Sequence, residues 1–217
     1  MASALDICNL ALAHLGDSAN VSSIDPPEGS AQAEHCARFY PVARDSLLEM
    51  HNWSFATRRT QPALLAEDID TAWSYAYAAP TGLVKPIAVV TPGALDTADS
   101  EPYAMEALAT GVVVIYTNVE NAVLRYVARV TDTTKYSPLF VDALSWLLAS
   151  YLAGPIIKGD SGVSAGRAAF QTFTGQFQRA ASSDANMQNV RHEYVPESIK
   201  ARGACYGGIQ LQNVRGC

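Results

Sequence analysis

Histidine is the side chain most readily turned to acid–base or nucleophilic work near neutral pH, and this chain has four. His14 stands three residues before Asp17, a spacing that would suit a carboxylate–histidine dyad. At the end of a helix an imidazole is also favoured by the dipole alone, and that is the reading we carry forward. His35 adjoins Cys36, the types a thiol nucleophile needs. Consecutive helical residues point in different directions, however, so such a pair is not expected to meet. His51 closes a helix and His192 lies near the C-terminus. None of the four has zinc-ligand spacing.

Other chemistry-bearing groups are similarly dispersed. Cys8, Cys36, Cys205 and Cys217 form no C-x-x-C pair, so reduced thiols are expected, with Cys8 and Cys36 acting as small core hydrophobes. Glu67, Asp68 and Asp70 cluster, as do Asp96, Asp99 and Glu101, but neither group has the alternation of a calcium loop. The stretch GPIIKGDSG hints at a phosphate loop, yet Lys158 is followed by Gly159 and an apolar helix precedes it. Arg58-Arg59 beside Trp53 and Phe55 could meet phosphates, although packing and ion pairing explain such arginines more simply. The residues therefore imply no catalytic centre, no metal and no cofactor.

The elements that would position these groups follow from periodicity. Ser3 with Asp6 caps a first helix, over about 3–15, whose stripe is Leu5, Cys8, Leu12 and Leu15. Pro26-Pro27 and Gly29 enforce a loop, after which Ser30 caps a second helix over about 30–52 with a bend expected at Pro41. Trp73, Tyr75 and Tyr77 alternate before Pro80, as on a strand with an aromatic face. Leu83 to Thr91 carries Pro86 and suits an edge strand. Thr110-Gly111 suits a hairpin turn. Leu124, Tyr126, Ala128 and Val130 oppose Arg125 and Arg129, so one wet face is expected there. Together these predict an antiparallel sheet of four or five strands over about 73–131. Helices at about 138–157 and 164–184 close the pattern, separated by a break at Gly154-Pro155 and a glycine-rich link.

The order helix, helix, sheet, helix, helix gives an α+β class: about four bundled helices with an antiparallel sheet inserted between the pairs. Residues 1–189 form one domain. Over 190–217 the pattern fails, leaving an arm with isolated Val195, Tyr206, Ile209 and Leu211. Such an arm is either disordered or ordered by a partner, and the alternation of Ile209 and Leu211 suits an added strand.

Composition narrows the partners. The net charge is −6 over 217 residues, and the pI is about 5.1. Gripping nucleic acid by counterion release needs clustered Lys and Arg and is excluded on these grounds, although an acidic wall around a DNA passage is not. A charged fraction of 17% is low and suits a subunit whose faces are covered in an assembly. No uninterrupted apolar run of about eighteen residues suggests a membrane span, and no basic segment precedes the N-terminal apolar stretch.

One pattern is recognisable. The blocks are CNLALAHLGD at Cys8 to Asp17, Ser30-Ala31, Cys36, Tyr40, Arg44-Asp45 and Leu48, Trp53-Ser54-Phe55-Ala56 with Arg58-Arg59, and W-x-Y-x-Y-x-x-P from Trp73 to Pro80. In order and spacing they resemble the podovirus head-to-tail adaptors, the tail tubular protein A or tail accessory factor family. The resemblance spans residues 5 to 90 and continues beyond them in element order. It implies a ring, a dodecamer in that family, between the portal protein and the tail nozzle, located in the virion after assembly in the host cytoplasm. Double-stranded DNA would pass through without specific binding. The resemblance implies no catalytic residues; it makes Trp53, Phe55, Trp73, Tyr75 and Tyr77 structural anchors and leaves the arm for partner contact. Two other classes remain open at this point: a virion-associated cell-wall hydrolase of the muramidase kind, and a DNA-packaging terminator.

Overall fold

The computed structural model describes residues 2–18, 20–65, 72–94 and 100–187. Among them the order is α1 (Ala4–His14), α2 (Ala31–Met50), β1 (Thr57–Thr60), β2 (Tyr75–Ala78), β3 (Leu83–Val90), β4 (Tyr103–Ala107), β5 (Val113–Thr117), β6 (Val123–Ala128), α3 (Pro138–Ile157) and α4 (Gly159–Ala185). The class is α+β, with strands inserted between two helix pairs, as the periodicity indicates.

Helix starts follow their caps. The Ser3 hydroxyl accepts from the Asp6 amide at 3.1 Å, while the Asp6 carboxylate accepts from the Ser3 amide at 2.8 Å. Ser30 accepts from the Ala33 amide and Ser137 from the Phe140 amide, both at 3.2 Å, with Pro138 in the first turn of α3. Helix α2 runs through Pro41 without interruption. Between α1 and α2, both amide groups of Asn9 hold Val21: Oδ1 accepts its N–H at 2.9 Å and Nδ2 donates to its carbonyl at 3.0 Å.

The inserted strands form two antiparallel sheets of three, ordered β1-β6-β3 and β2-β5-β4, in place of the single sheet expected. The discrepancy begins at β1. Thr57–Thr60 has no apolar alternation to mark it as a strand, yet it pairs with β6 from Thr57 opposite Val127 to Thr60 opposite Leu124. Strand β3, with Pro86, is an edge of its sheet, as expected. The β4–β5 hairpin turns at Gly111, whose φ of +82° is left-handed backbone that glycine adopts freely.

The layers are helices, then β1-β6-β3, then β2-β5-β4. Val127 and Val130 join the helical core with Leu12, Leu47, Phe140, Leu144 and Leu148, whereas Leu124 and Tyr126 meet Tyr77, Val89 and Ile115 between the sheets. The expectation of one wet face on β6 is therefore corrected. Adjacent residues Tyr126 and Val127 belong to different apolar clusters, because β6 is covered on both sides.

The second correction concerns α4. It starts at Gly159, a single residue after α3, and not near residue 164. Lys158 makes the reversal alone, with φ +61° and ψ 164°. Gly162 and Gly166 are thus interior helical residues; a Cβ on Gly162 would stand 3.0 Å from the Ala153 carbonyl oxygen. They let α4 lie tightly against α3. Gly154-Pro155 likewise fails to end α3, which continues to Ile157. Helix α3 is long and apolar enough to span a bilayer, but here it packs against α1, α2 and α4, with Phe140, Leu144, Leu147, Leu148 and Leu152 fully buried.

Candidate functional site

Three groups of reactive side chains come together, and their bonding defines what each can do. The first joins α1 to α3. His14 stacks on Trp146 with centroids 3.8 Å apart and planes 10° from parallel, and its Nε2 lies 3.1 Å from Ser145 Oγ. A serine–histidine contact could mark a nucleophile, provided the imidazole accepts the hydroxyl proton. Ser145 instead donates its single proton to the Asp142 carbonyl at 2.8 Å. His14 Nε2 must therefore be the donor, which is the wrong polarity for a base. Ser145 is also only 1% exposed. Burial pulls the His14 pKa below its usual value, while the nearby Asp142 charge opposes that shift. His14 thus meets Ser145 and Trp146 on a distant helix, and no contact with Asp17 is needed to hold it.

The second group fastens the end of α4. The Ser54 amide donates to both carboxylate oxygens of Asp184, at 3.1 and 3.0 Å, and the Ser54 hydroxyl donates to Oδ1 at 2.7 Å. His51 Nε2 stands 3.4 Å from Oδ2. A hydrolytic triad needs imidazole between hydroxyl and carboxylate. Here the carboxylate is in the middle, so the arrangement anchors the turn after α2 to the last turn of α4. It borders a shallow cavity of about 280 Å³ with Asn52, Ile87 and Arg125.

The third is Cys8 and Cys36, both fully buried where α1 meets α2. Cys36 bonds to the Cys8 thiol, which together with burial pushes the Cys8 pKa up and keeps it protonated. His35 turns to Phe39 instead, at 6.3 Å. Motif residues Arg44 and Asp45 pair at 2.8 Å, and the other oxygen of Asp45 takes Arg129 Nε at 3.0 Å, tying α2 to the end of β6. Arg58 and Arg59 lie exposed on β1.

The aromatic anchors divide between layers. Trp53 is fully buried, donates Nε1–H to the Leu47 carbonyl at 2.8 Å, and meets Phe140 edge-on at 4.9 Å. Phe55 joins it through Phe140 and Tyr136. Tyr75 and Tyr77 stack at 6.3 Å in the layer between the sheets, and the Tyr77 hydroxyl donates to the Val119 carbonyl at 2.9 Å. Trp73 departs from their shared face. It precedes the strand and packs with Ala76, Val114 and Tyr116 on the outer side of β2-β5-β4. Val195, Tyr206, Ile209, Leu211 and His192 lie outside the described residues, as do Glu67, Asp68, Asp70, Asp96 and Asp99.

Sequence reading missed Ser145 and Asp184, whose partners are 131 and 130 residues away. No local spacing signals such pairs. A concave surface of about 560 Å³ follows the α3–α4 seam along Tyr151, Gly154, Gly162, Gly166 and Phe170. Among the described residues no three His, Cys, Asp or Glu side chains are grouped to hold a metal. No protein-family model matches the chain, and no curated protein matches it in sequence.

Proposed function

We propose that the chain is a structural head-to-tail adaptor of a short-tailed bacteriophage, a ring subunit between portal and tail nozzle through which duplex DNA passes. One observation carries this reading. The apolar residues of the adaptor-like blocks between Cys8 and Ala56 meet in a single helical core, Cys8, Leu12, Cys36, Tyr40, Leu48, Trp53 and Ala56, while the Trp73–Pro80 block packs in the sheet layers. What the blocks specify is a shape, as suits a protein that acts through its faces. Among the described residues, His14 with Ser145, and His51 and Ser54 with Asp184, are engaged as links between elements.

Ring contacts are heterologous, one face meeting a different face of the next copy, and a stable one buries about 800 Å² per partner. The exposed half of α4, with Val163 and Phe170 each about half exposed, offers apolar area for such a contact. On this reading the residues beyond α4 make the contact with the portal. Electron microscopy of the protein mixed with its cognate portal tests the reading. The expected image is a collar of added density on the tail side of the portal ring. Portal rings left bare at saturating protein would overturn it, as would a band of clearing in a peptidoglycan zymogram.

A further inference from the structure

Charge in this chain is strongly segregated. From Gln61 to Leu124 there are eight acidic residues and a single lysine, Lys85, so the remainder is close to neutral. That span includes the whole of sheet β2-β5-β4. One edge of this sheet is covered: the Leu65 amide donates to the Ala76 carbonyl at 2.8 Å and the Ala78 amide to the Ala63 carbonyl at 2.9 Å. The other edge, β4, has no neighbour among the described residues.

Which groups that edge presents follows from the register. The Leu108 amide donates to the Val112 carbonyl at 2.8 Å, and Glu106 stands opposite Val114. Hydrogen-bonded pairs alternate in an antiparallel ladder, so Ala104 and Glu106 bond inward to β5. Tyr103, Met105 and Ala107 therefore aim their N–H and C=O groups outward, with Met105 42% exposed. An uncovered edge of this kind is a template for another strand.

We infer that the chain's own C-terminal segment, Ile209 to Val214, adds as a fourth strand on β4 in the free protein. Three features select this occupant. It alternates, with Ile209 and Leu211 on one side and Gln210 and Gln212 on the other, so an added strand places the apolar pair beside Met105 and the amides beside Glu106. The stretch that carries it is complementary in charge: 209–214 is itself uncharged, so it adds no like charge beside Glu106, and residues 188–217 hold Arg191, Lys200, Arg202 and Arg215 against Glu193 and Glu197. Its reach suffices. Helix α4 ends with Ala185 beside Ile87 of β3, and the Val89 carbonyl on the same strand accepts from the Glu101 amide at the entry to β4. The 21 residues between Met187 and Ile209 can extend roughly 70 Å. A tether of that length gives the segment an effective concentration around millimolar, ahead of any second copy in dilute solution. The inference stands independently of the adaptor reading; if that reading holds, the arm must leave β4 before it meets the portal.

Amide hydrogen exchange on the full chain tests it. Peptides covering 103–107 and 209–214 should both exchange at least tenfold slower than in the Ile209→Glu/Leu211→Glu variant. A second variant, Ala107→Pro, removes one outward donor while leaving the β4–β5 ladder intact, and should release the 209–214 peptide equally. Unchanged protection of β4 in the double variant would overturn the inference. So would protection that grows between 1 and 100 μM with a matching rise in mass by light scattering, since that marks strand exchange between copies.

Discussion

His14 sits between solvent and core, stacked on Trp146 and donating to Ser145, and burial disfavours its charged form. Its folded pKa lies below the ordinary 6.5, so below that pH the unfolded chain takes up a proton that the folded chain resists. The stabilisation is complete above pH 6.5 and declines as pH falls toward the folded value. Thermal melts should show a loss beginning just under pH 6.5 that the His14→Gln variant lacks. The acidic groups held low act in a separate window. Asp6 is lowered by its bonds from Ser3, Glu28 by the Ser22 hydroxyl and amide, and Asp132 by Thr134. Their contributions persist until pH drops below about 4. At this scale the sequence revealed which residues were candidates but not what each one touches, because Ser145 and Asp184 find their partners across the whole chain.

Helix–helix contact turns on single hydrogen atoms along the α3–α4 seam. Gly162→Ala puts a methyl 3.0 Å from the Ala153 carbonyl oxygen, both on helical backbone, so one helix must shift. Gly175, further along α4, has no neighbouring atom within 4 Å of where a methyl would stand. Urea titration should find Gly162→Ala destabilising by about 1–3 kcal/mol, and Gly175→Ala stabilising by about 1 kcal/mol through helix propensity alone. Gain or neutrality at Gly162 would mean that the seam is loose. Caps and stripes made α1, α2 and α3 legible, since Ser3, Ser30 and Ser137 each announce a start. The start of α4 was not, because glycines that pack a helix closely look, in one dimension, like glycines that end it. β1 escaped for a related reason: Thr57–Thr60 gains its strand conformation from β6, a partner far along the chain, and not from its own alternation.

For the whole molecule, β6 packs on the helical layer with one face and on the β2-β5-β4 sheet with the other, and this strand decides cooperativity. With Trp73 as the remaining indole in a Trp53→Phe/Trp146→Phe background, its emission reports the outer sheet while far-ultraviolet dichroism reports the helices. The two signals should follow one urea transition. Separate midpoints would show that the outer sheet melts on its own. The α+β class and the insertion of strands between helix pairs were readable from element order, and the division into two sheets was not. Period-two patterning tells which side chains share a face, but not which strand lies next to which.

Neighbouring side chains of β6 keep this arrangement in step. Tyr126 is engaged with one apolar layer and Val127 with the other, so the strand can neither slide by one residue nor rotate about its axis without uncoupling both. It works like a toothed rack meshed on two sides. Force applied to the β2-β5-β4 sheet should therefore pass through β6 to the helices packed on its other face.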